Sequence, residues 1–348
     1  MAQLKVDAYL PGTAGSADAA SEVAKAHVRG FDGVFSAETA HDPFLQLAAG
    51  MASGPGMTYG TAIAVAFPRS PMITAMAAWD LQAQSEGNFI LGLGTQVRAH
   101  IQRRFSTVWD SPGPRLREYI ESLHAIWDTF QHGKPLRFDG EFYQFSLMAP
   151  FFNPGPLPFK RPEVFISAVG PYNCRLVGEV CDGMHVHPFH TVKYLDEHVL
   201  PHVQEGAAKA GRNLGDITLS STVFCVTGRT DEEMEASMTA VKQQIAFYAS
   251  TPAYRRVLEI EGWDFGPELT AMSKRGKWAE MGSLISDEVV ETVGVVAPTD
   301  HLGAALHKRY ATRLGRIGYY TLGSELADLA EQDWKDLIAA TKGQPSES

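Results

Sequence analysis

The chain has 348 residues, 45% of them hydrophobic and 20% charged, which is the composition of an ordinary globular protein. Its formal net charge of -10 argues against nucleic acid or an anionic membrane surface as the main partner. No run of about 18 apolar residues occurs and the first residues lack a signal-peptide pattern, so neither a membrane span nor secretion is expected.

Eight segments along the chain favour β-strands, and helical segments alternate with them. The strand segments are residues 5–10, 33–37, 57–66, 88–93, 164–169, 183–187, 217–226 and 315–322. Helix starts between them carry suitable caps, for example Asp42 before Pro43 and Ser70 before Pro71. Open α/β sheets usually have about five or six strands and a glycine-rich fingerprint after the first, which residues 11–15 lack. The pattern therefore predicts an α/β fold, a (β/α)8 TIM barrel.

Two connections are too long for simple barrel loops. They lie at about 132–162, a segment rich in Pro, Phe and Gly, and at about 228–313, a helical segment with aromatic and basic residues. Such insertions usually cover an active site or form a subunit contact. We expect the first to cross over the barrel, because its aromatic residues would not remain in solvent. The sequence thus predicts a single barrel domain over residues 1–341, followed by a flexible tail at 342–348.

Short motifs spread over most of the chain resemble the bacterial luciferase-like flavin and deazaflavin oxidoreductases. They are Glu38 at the end of the second strand, Gly60-Thr-Ala-Ile-Ala-Val65, Arg69-x-Pro71, Asn88-Phe-Ile-Leu-Gly-Leu-Gly-Thr95, Ile166-Ser-Ala-Val-Gly-Pro171 and Gly178-Glu-x-x-Asp-Gly183. Within that family, segments 96–105, 117–119 and 246–254 are similar to a group assigned to coenzyme F420. Each motif is weak by itself, and the fold assignment rests on all of them together.

The resemblance implies an oxidoreductase that transfers a hydride between coenzyme F420 and an organic substrate. Aromatic residues in the insertions suggest that this substrate is hydrophobic. A luciferase-type monooxygenase that uses reduced FMN and oxygen is the alternative, and the sequence separates the two only through the resemblance. A cofactor-free barrel with a binding role is a third hypothesis, and it predicts bulky residues over the barrel mouth. The small residues at the strand ends argue against it.

A TIM barrel holds its ligand over the C-terminal ends of its strands. Small residues there would let a flat ring lie against the backbone, and free amides would bind its carbonyl groups. In the family a non-prolyl cis peptide lies behind the ring, and the matching bond is Ala62-Ile63. The helix that starts after Gly170 and the basic residue Arg98 are expected to hold a phosphate or an acidic tail. The resemblance thus implies the cofactor-binding residues Ala62, Ile63, Ala64, Gly94, Thr95, Gln96, Arg98, Ser167, Ala168, Val169 and Gly170.

Glu38 is the first candidate for proton transfer. A carboxylate at a strand end that faces an apolar mouth would have its pKa raised by desolvation. The equal alternative is that Glu38 accepts hydrogen bonds from the starts of nearby helices. Thr39 follows it where sugar-phosphate dehydrogenases of the family carry a His, which puts that substrate class in doubt. His41 is close enough to replace that His, although a loop residue before a helix cap is the simpler interpretation.

The substrate pocket is expected from one strand end and from the two insertions. Its candidates are His187, Phe189, Phe152, Tyr254 and Trp263. His185 and His187 lie on one face of a strand, an arrangement compatible with a metal. However, hydride transfer from F420 needs no metal, so no metal site is predicted.

The remaining expectations concern partners and location. A small molecule is the predicted partner, without nucleic acid or membrane, and a homodimer or higher homo-oligomer is expected because barrels of this family often pair. Cys174 and Cys181 are seven positions apart on one predicted helix, too far for a disulfide, and Cys225 is isolated in a strand. This cysteine pattern suits a reducing compartment, so the cytoplasm is the predicted location.

Overall fold

A computed structural model describes residues 3–323 and 326–345 of the chain. All eight predicted strands form, over Lys5–Tyr9, Gly33–Ser36, Thr58–Thr61, Phe89–Gly94, Glu163–Ala168, Gly183–Val186, Thr218–Val226 and Arg316–Tyr320. Each of these strands pairs in parallel with the next, and the last pairs with the first through Lys5 and Val6. The sheet is therefore a closed barrel, which confirms the predicted (β/α)8 fold.

Helices surround the barrel and connect its strands. They span Ser16–Arg29, Pro43–Gly50, Pro71–Gln84, Arg98–Arg103, Pro112–His132, Pro171–Val180, Val192–Tyr194, Leu200–Lys209, Asp231–Ala249, Arg255–Glu261, Gly266–Lys274, Trp278–Met281, Asp287–Val293, Thr299–Tyr310 and Glu331–Lys342. A π-helical turn at Leu195–Val199 joins the two helices on either side of it. None of the helices in the described parts of the chain combines the length and apolarity that crossing a membrane requires.

The inside of the barrel is filled by its own small apolar cluster. Phe35, Ile90 and Phe165 form this cluster apart from the main core, which lies between the barrel and its helices. Beneath Phe35, the buried side chains of Asp7 and Arg316 form a two-pronged ion pair at 2.5 and 2.8 Å. Because the interior is packed, a ligand must bind above this plug, at the ends of the strands.

Contrary to the prediction, the first insertion, 132–162, does not cross over the barrel. It forms a two-stranded hairpin, Phe138–Asp139 with Gln144–Phe145, and then returns along the outer helices. The Trp79 indole donates to the Gly155 carbonyl, and the Gln131 amide donates to that of Leu157. Phe151 and Phe152 are 90% and 67% exposed, so the expectation that its aromatic residues would avoid solvent was wrong for these two.

The second insertion is helical, as predicted, and returns to the barrel twice. The end of helix Asp231–Ala249 and the turn at Pro252–Tyr254 reach the C-terminal end of the barrel, where Tyr248 donates to or accepts from Tyr320. Short strand Val295–Val296 adds to the seventh barrel strand. The last helix ends at Lys342, the first residue of the predicted tail, and residues 346–348 of that tail lie outside the described part of the chain.

Candidate active site

The C-terminal end of the barrel, which we call the mouth, has two unlike halves. On one side the strand ends present the small residues Ala62, Gly94 and Ser167. On the other side His187 and Tyr320 meet Tyr248 from the second insertion. The alternation of side chains along each strand explains why these positions face the barrel axis. A flat ligand would therefore rest against backbone on one side and against aromatic rings on the other.

The half with small residues is shaped by the chain around Ala62. The Ala62-Ile63 peptide bond is cis, as the sequence motif implied. A Cβ atom placed on Gly94 would lie 2.7 Å from the Ser167 hydroxyl oxygen and 2.8 Å from Ile63 Cδ1. Ile63 therefore reaches over Gly94, and the three residues meet in one place. Ala62 packs on the apolar plug of the barrel, whereas Ala64 and Ala168 belong to the main core, so only their backbone faces the strand ends.

Glu38 is held in a network of hydrogen bonds. Its carboxylate accepts the Val65 amide at 2.7 Å and the Arg69 guanidinium at 2.6 Å, and Arg69 also binds Asp42 at 2.7 Å. Burial by itself would lower the pKa of Arg69. The carboxylates of Glu38 and Asp42 together have the larger effect, so the pKa of Arg69 is raised. Asp42 in turn accepts the amide of Phe44 and caps the next helix. Glu38 thus fixes the chain that follows the cis bond. It accepts a backbone hydrogen bond as the alternative held, but from the strand residue Val65 and not from the start of a helix.

His41 and Thr39 lie on the rim of the mouth. His41 is exposed, and a Cβ atom placed on Gly15 would lie 3.9 Å from its ring. Thr39 is exposed as well, and its carbonyl accepts the Arg104 guanidinium. The structure therefore does not bring His41 together with the small residues of the mouth floor.

A cavity of about 510 Å³ opens beside the half with small residues. Its lining includes Thr95, Gln96, Arg98, Gly170 and Tyr172. Two helices begin at this cavity, at residues 112 and 171, and no side chain caps either start. Within the described residues the side chain of Arg98 forms no ion pair or hydrogen bond. Free amide groups and an unpaired guanidinium make this cavity suited to an anion, and they join four of the predicted cofactor residues.

The loop between Ser167 and Gly170 is anchored by residues that sequence reasoning missed. The Val169 carbonyl accepts the Tyr194 hydroxyl at 2.8 Å and lies 3.2 Å from His198 Nε2. Both residues belong to the helix that contains the π-helical turn, and their rings stack at 4.9 Å. A π-helical turn shows no recognisable residue pattern, so the sequence carried no signal for this support.

The aromatic half of the mouth is centred on His187. Its imidazole stacks on Tyr254 with centroids 4.1 Å apart and meets the edge of Tyr248 at 4.6 Å. Tyr248 shares a 3.1 Å hydrogen bond with Tyr320, whose ring stacks on Phe224 at 4.7 Å. The prediction named His187 and Tyr254 but missed Tyr320. Aromatic residues near an insertion were the only available signal, and it did not say which of them reach the mouth.

The three neighbouring histidines differ in their surroundings. Burial lowers the pKa of His185 and of His187 to about 3, and that of His190 to about 4, so all three are neutral near pH 7. His185 is buried against Phe35 and Phe165, below the mouth. No group of three or more His, Cys, Asp or Glu side chains in the described residues is arranged to hold a metal ion.

Three predicted pocket residues lie elsewhere. Phe152 is on the outer flank of the barrel, where the following Asn153 donates to the Thr129 carbonyl. Trp263 stacks on Phe265 at 5.8 Å and has no ring contact with the mouth aromatics. Phe189 is 1% exposed and packs behind Tyr254, so it supports the mouth wall without lining it. The positions of insertion residues depend on packing that local sequence does not encode.

A larger cavity than the one around Arg98 lies at the other end of the barrel. Its volume is about 1190 Å³, and it is lined by residues at or just before the starts of strands, such as Lys5 and Asn88, together with Asp182 and Arg161. Ligands of α/β barrels bind at the C-terminal end, where the catalytic loops lie. Size alone therefore does not make this cavity the active site.

Comparison with known proteins identifies the family. A sequence model of the luciferase-like monooxygenase family matches residues 3–316. The chain belongs to this family. An uncharacterized protein of Mycobacterium tuberculosis is 44% identical over 337 residues, which cover 96% of this chain and 98% of that protein. A putative coenzyme F420-dependent oxidoreductase of the same species is 27% identical over 301 residues, covering 80% and 84% of the two chains.

Solved structures of the luciferase-like fold include enzymes with different coenzymes. The coenzyme F420-dependent tetrahydromethanopterin reductase of Methanopyrus kandleri superimposes with a TM-score of 0.77 at 16% identity, covering 98% of both chains. The oxygenating component of 3,6-diketocamphane monooxygenase from Pseudomonas putida, solved with FMN, gives 0.70 at 15% identity and the same coverage. At this identity the likeness establishes the fold, and it leaves the coenzyme of this luciferase-like protein open.

Proposed function

We propose that this luciferase-like protein is an oxidoreductase that transfers a hydride between coenzyme F420 and an uncharged organic substrate. The observation that carries the proposal is the continuity of two sites: a mouth floor of Ala62, Gly94 and Ser167 that suits a flat ring, and the adjacent cavity around Arg98 that suits an anionic tail. A tricyclic ring joined to a phosphate-bearing tail has this shape. The F420-dependent relatives support this choice.

The residues present fit such a coenzyme. Gly94 leaves room that a Cβ atom would fill, and Ile63 and Ser167 border the same space. Arg98 and the amides at the start of helix Pro171–Val180 would hold the phosphate, while the anchored Val169 carbonyl keeps that helix start in place. Bound there, F420 supplies a carbon-bound hydride. The chain itself provides the surface that orients the coenzyme, and the plug of Phe35 and its neighbours closes the mouth from below.

Reduced FMN with oxygen is the second candidate, because the same phosphate-binding features accept it and an FMN-containing structure shares the fold. To separate the two, the purified protein would be titrated with F420 and with FMN, following coenzyme fluorescence. We expect F420 to bind at least about tenfold more tightly. Preferential binding of FMN would contradict the proposal and favour a luciferase-type monooxygenase.

Arg98→Ala tests the place of the phosphate. Arg98 is exposed, so we expect a loss of about 1 kcal/mol, or about fivefold weaker binding of either coenzyme. Arg103→Ala is the matched control, because Arg103 lies on the same short helix, is also exposed and does not line the cavity. Equal effects of the two substitutions would place the phosphate elsewhere and attribute the change to overall charge.

A further inference from the structure

We propose that the aromatic half of the mouth binds the reacting part of the substrate as an uncharged carbonyl group, with His187 Nε2–H as the hydrogen-bond donor to its oxygen. The proposal rests on the proposed function for the hydride transfer itself. The binding site is inferred separately, from the geometry of four residues: His187, Tyr248, Tyr254 and Tyr320. No carboxylate is assigned to this step.

The tautomer of His187 follows from its neighbour. The Phe189 backbone N–H donates to His187 Nδ1 at 3.1 Å, so Nδ1 must carry a lone pair. In the neutral ring the proton then lies on Nε2. Nε2 has no hydrogen-bond partner in the described residues, and unlike Nε2 of His185 and His190 it is not sealed from solvent. A donor that is fixed in direction and lacks a partner is therefore available at the mouth.

The rings around His187 hold the donor in place. Tyr254 stacks on one face of the imidazole at 4.1 Å, and the edge contact with Tyr248 at 4.6 Å restricts its rotation. Tyr248 is itself fixed by its 3.1 Å hydrogen bond to Tyr320. These aromatic surfaces suit an apolar or planar substrate, since burial of such surface is favourable and ring contacts add to it.

The same site lacks a counter-charge. Within the described residues no Asp, Glu, Lys or Arg forms a hydrogen bond or ion pair with His187, Tyr248, Tyr254 or Tyr320. Among the residues that the structure describes, only the ring of His190 acts electrostatically on His187, and burial keeps that ring neutral. An anionic group placed here would lose its hydration without gaining a partner, which is costly. The reacting part of the substrate is therefore uncharged.

The chemistry of the step needs a donor at this point. When the carbonyl carbon accepts a hydride, the π electron pair of the C=O bond moves to oxygen, and that oxygen takes a proton to complete the alcohol. Neutral His187 stabilises the developing negative charge through Nε2–H but does not give up its own proton, which comes from water. In the reverse direction the same bond holds the alcohol oxygen as its proton leaves to water.

Binding is tested first, without coenzyme, by saturation-transfer NMR with benzaldehyde and with benzoate as probes. We expect benzaldehyde to bind, and benzoate to bind at least about tenfold more weakly. His187→Phe keeps the stacking ring but removes the donor, and it should weaken benzaldehyde binding about fivefold. His301→Phe, at a highly exposed histidine with no mouth contact, is the control and should leave binding unchanged.

Equal binding of benzoate and benzaldehyde, or benzaldehyde binding that His187→Phe leaves unchanged, would overturn the proposal. With reduced F420, His187→Phe should lower kcat for an accepted aldehyde about 100-fold, and His187→Gln should restore part of it because the amide N–H replaces the donor. Coenzyme binding by both variants is measured separately. Benzaldehyde binding that depends on His187, in a protein that does not bind F420, would leave this site intact and reject the proposed coenzyme.

Discussion

Replacing Glu38 distinguishes a proton donor from a structural anchor. Glu38→Gln keeps an oxygen that accepts the Val65 amide but removes the charge that faces Arg69. Because Arg69 retains its 2.7 Å contact with Asp42, its own charge does not become unpaired. We therefore expect Glu38→Gln to lower the free energy of unfolding and to change turnover only modestly, with the same pH profile as the parent protein.

The expected loss of unfolding free energy follows from how deeply the Glu38–Arg69 pair is buried. The Glu38 side chain is 7% exposed and that of Arg69 is 18% exposed, so their bond is mostly shielded from water. A hydrogen bond to a charged group contributes about 1.5–3 kcal/mol and a neutral one about 1 kcal/mol, so Glu38→Gln should cost about 1 kcal/mol. Arg69→Met would leave the Glu38 carboxylate without its cation and should cost more, about 2 kcal/mol. The double variant should show coupling of about 1 kcal/mol.

Urea unfolding followed by fluorescence measures these changes, and equal m-values would show that the unfolded states are comparable. Turnover is then measured between about pH 5 and 9 for the parent protein and for Glu38→Gln. A variant of unchanged stability that loses more than about 100-fold in kcat, together with one limb of the pH profile, would refute the anchoring role. That result would make Glu38 the acid or base.

Three further predictions concern stability and the coenzyme site. His190→Asn should flatten the pH dependence of stability by up to about 1.4 kcal/mol per pH unit. Folded His190 has a pKa of about 4, whereas in the unfolded chain it binds a proton near about pH 6.5. Stability is thus lost as pH falls between these values, which thermal unfolding at several pH values would measure, and an unchanged slope would contradict the burial argument. Gly94→Ala should weaken F420 binding at least about tenfold while circular dichroism stays native, because its Cβ would lie 2.8 Å from Ile63 Cδ1; unaltered affinity would place the ring elsewhere. Tyr194→Phe removes one of two bonds to the Val169 carbonyl and should weaken FMN and F420 binding about threefold in the same titration, whereas stronger binding would reject its supporting role.

Much of the architecture was predictable because it is encoded locally. Alternating apolar strands and capped helices identified all eight barrel strands, since side-chain periodicity and caps act within a few residues. The rule that ligands bind at the strand ends then brought Ala62, Gly94 and Ser167 together on one side of the mouth. Even the position of the cis bond at Ala62-Ile63 followed from a short motif.

The candidate site required more than this local information. Glu38 and Arg69 are 31 positions apart, and Tyr248 and Tyr320 are 72 apart, so their contacts exist only because the barrel closes and the second insertion folds back onto it. Phe152 and Tyr254 were equivalent candidates in the sequence, because both are aromatic residues of an insertion. In the structure Phe152 is exposed on the outer flank, whereas Tyr254 stacks on His187. The sequence by itself determined the barrel and the edge where a ligand binds. Only the tertiary structure decided which side chains meet there, because long-range packing selects among residues whose local preferences are alike.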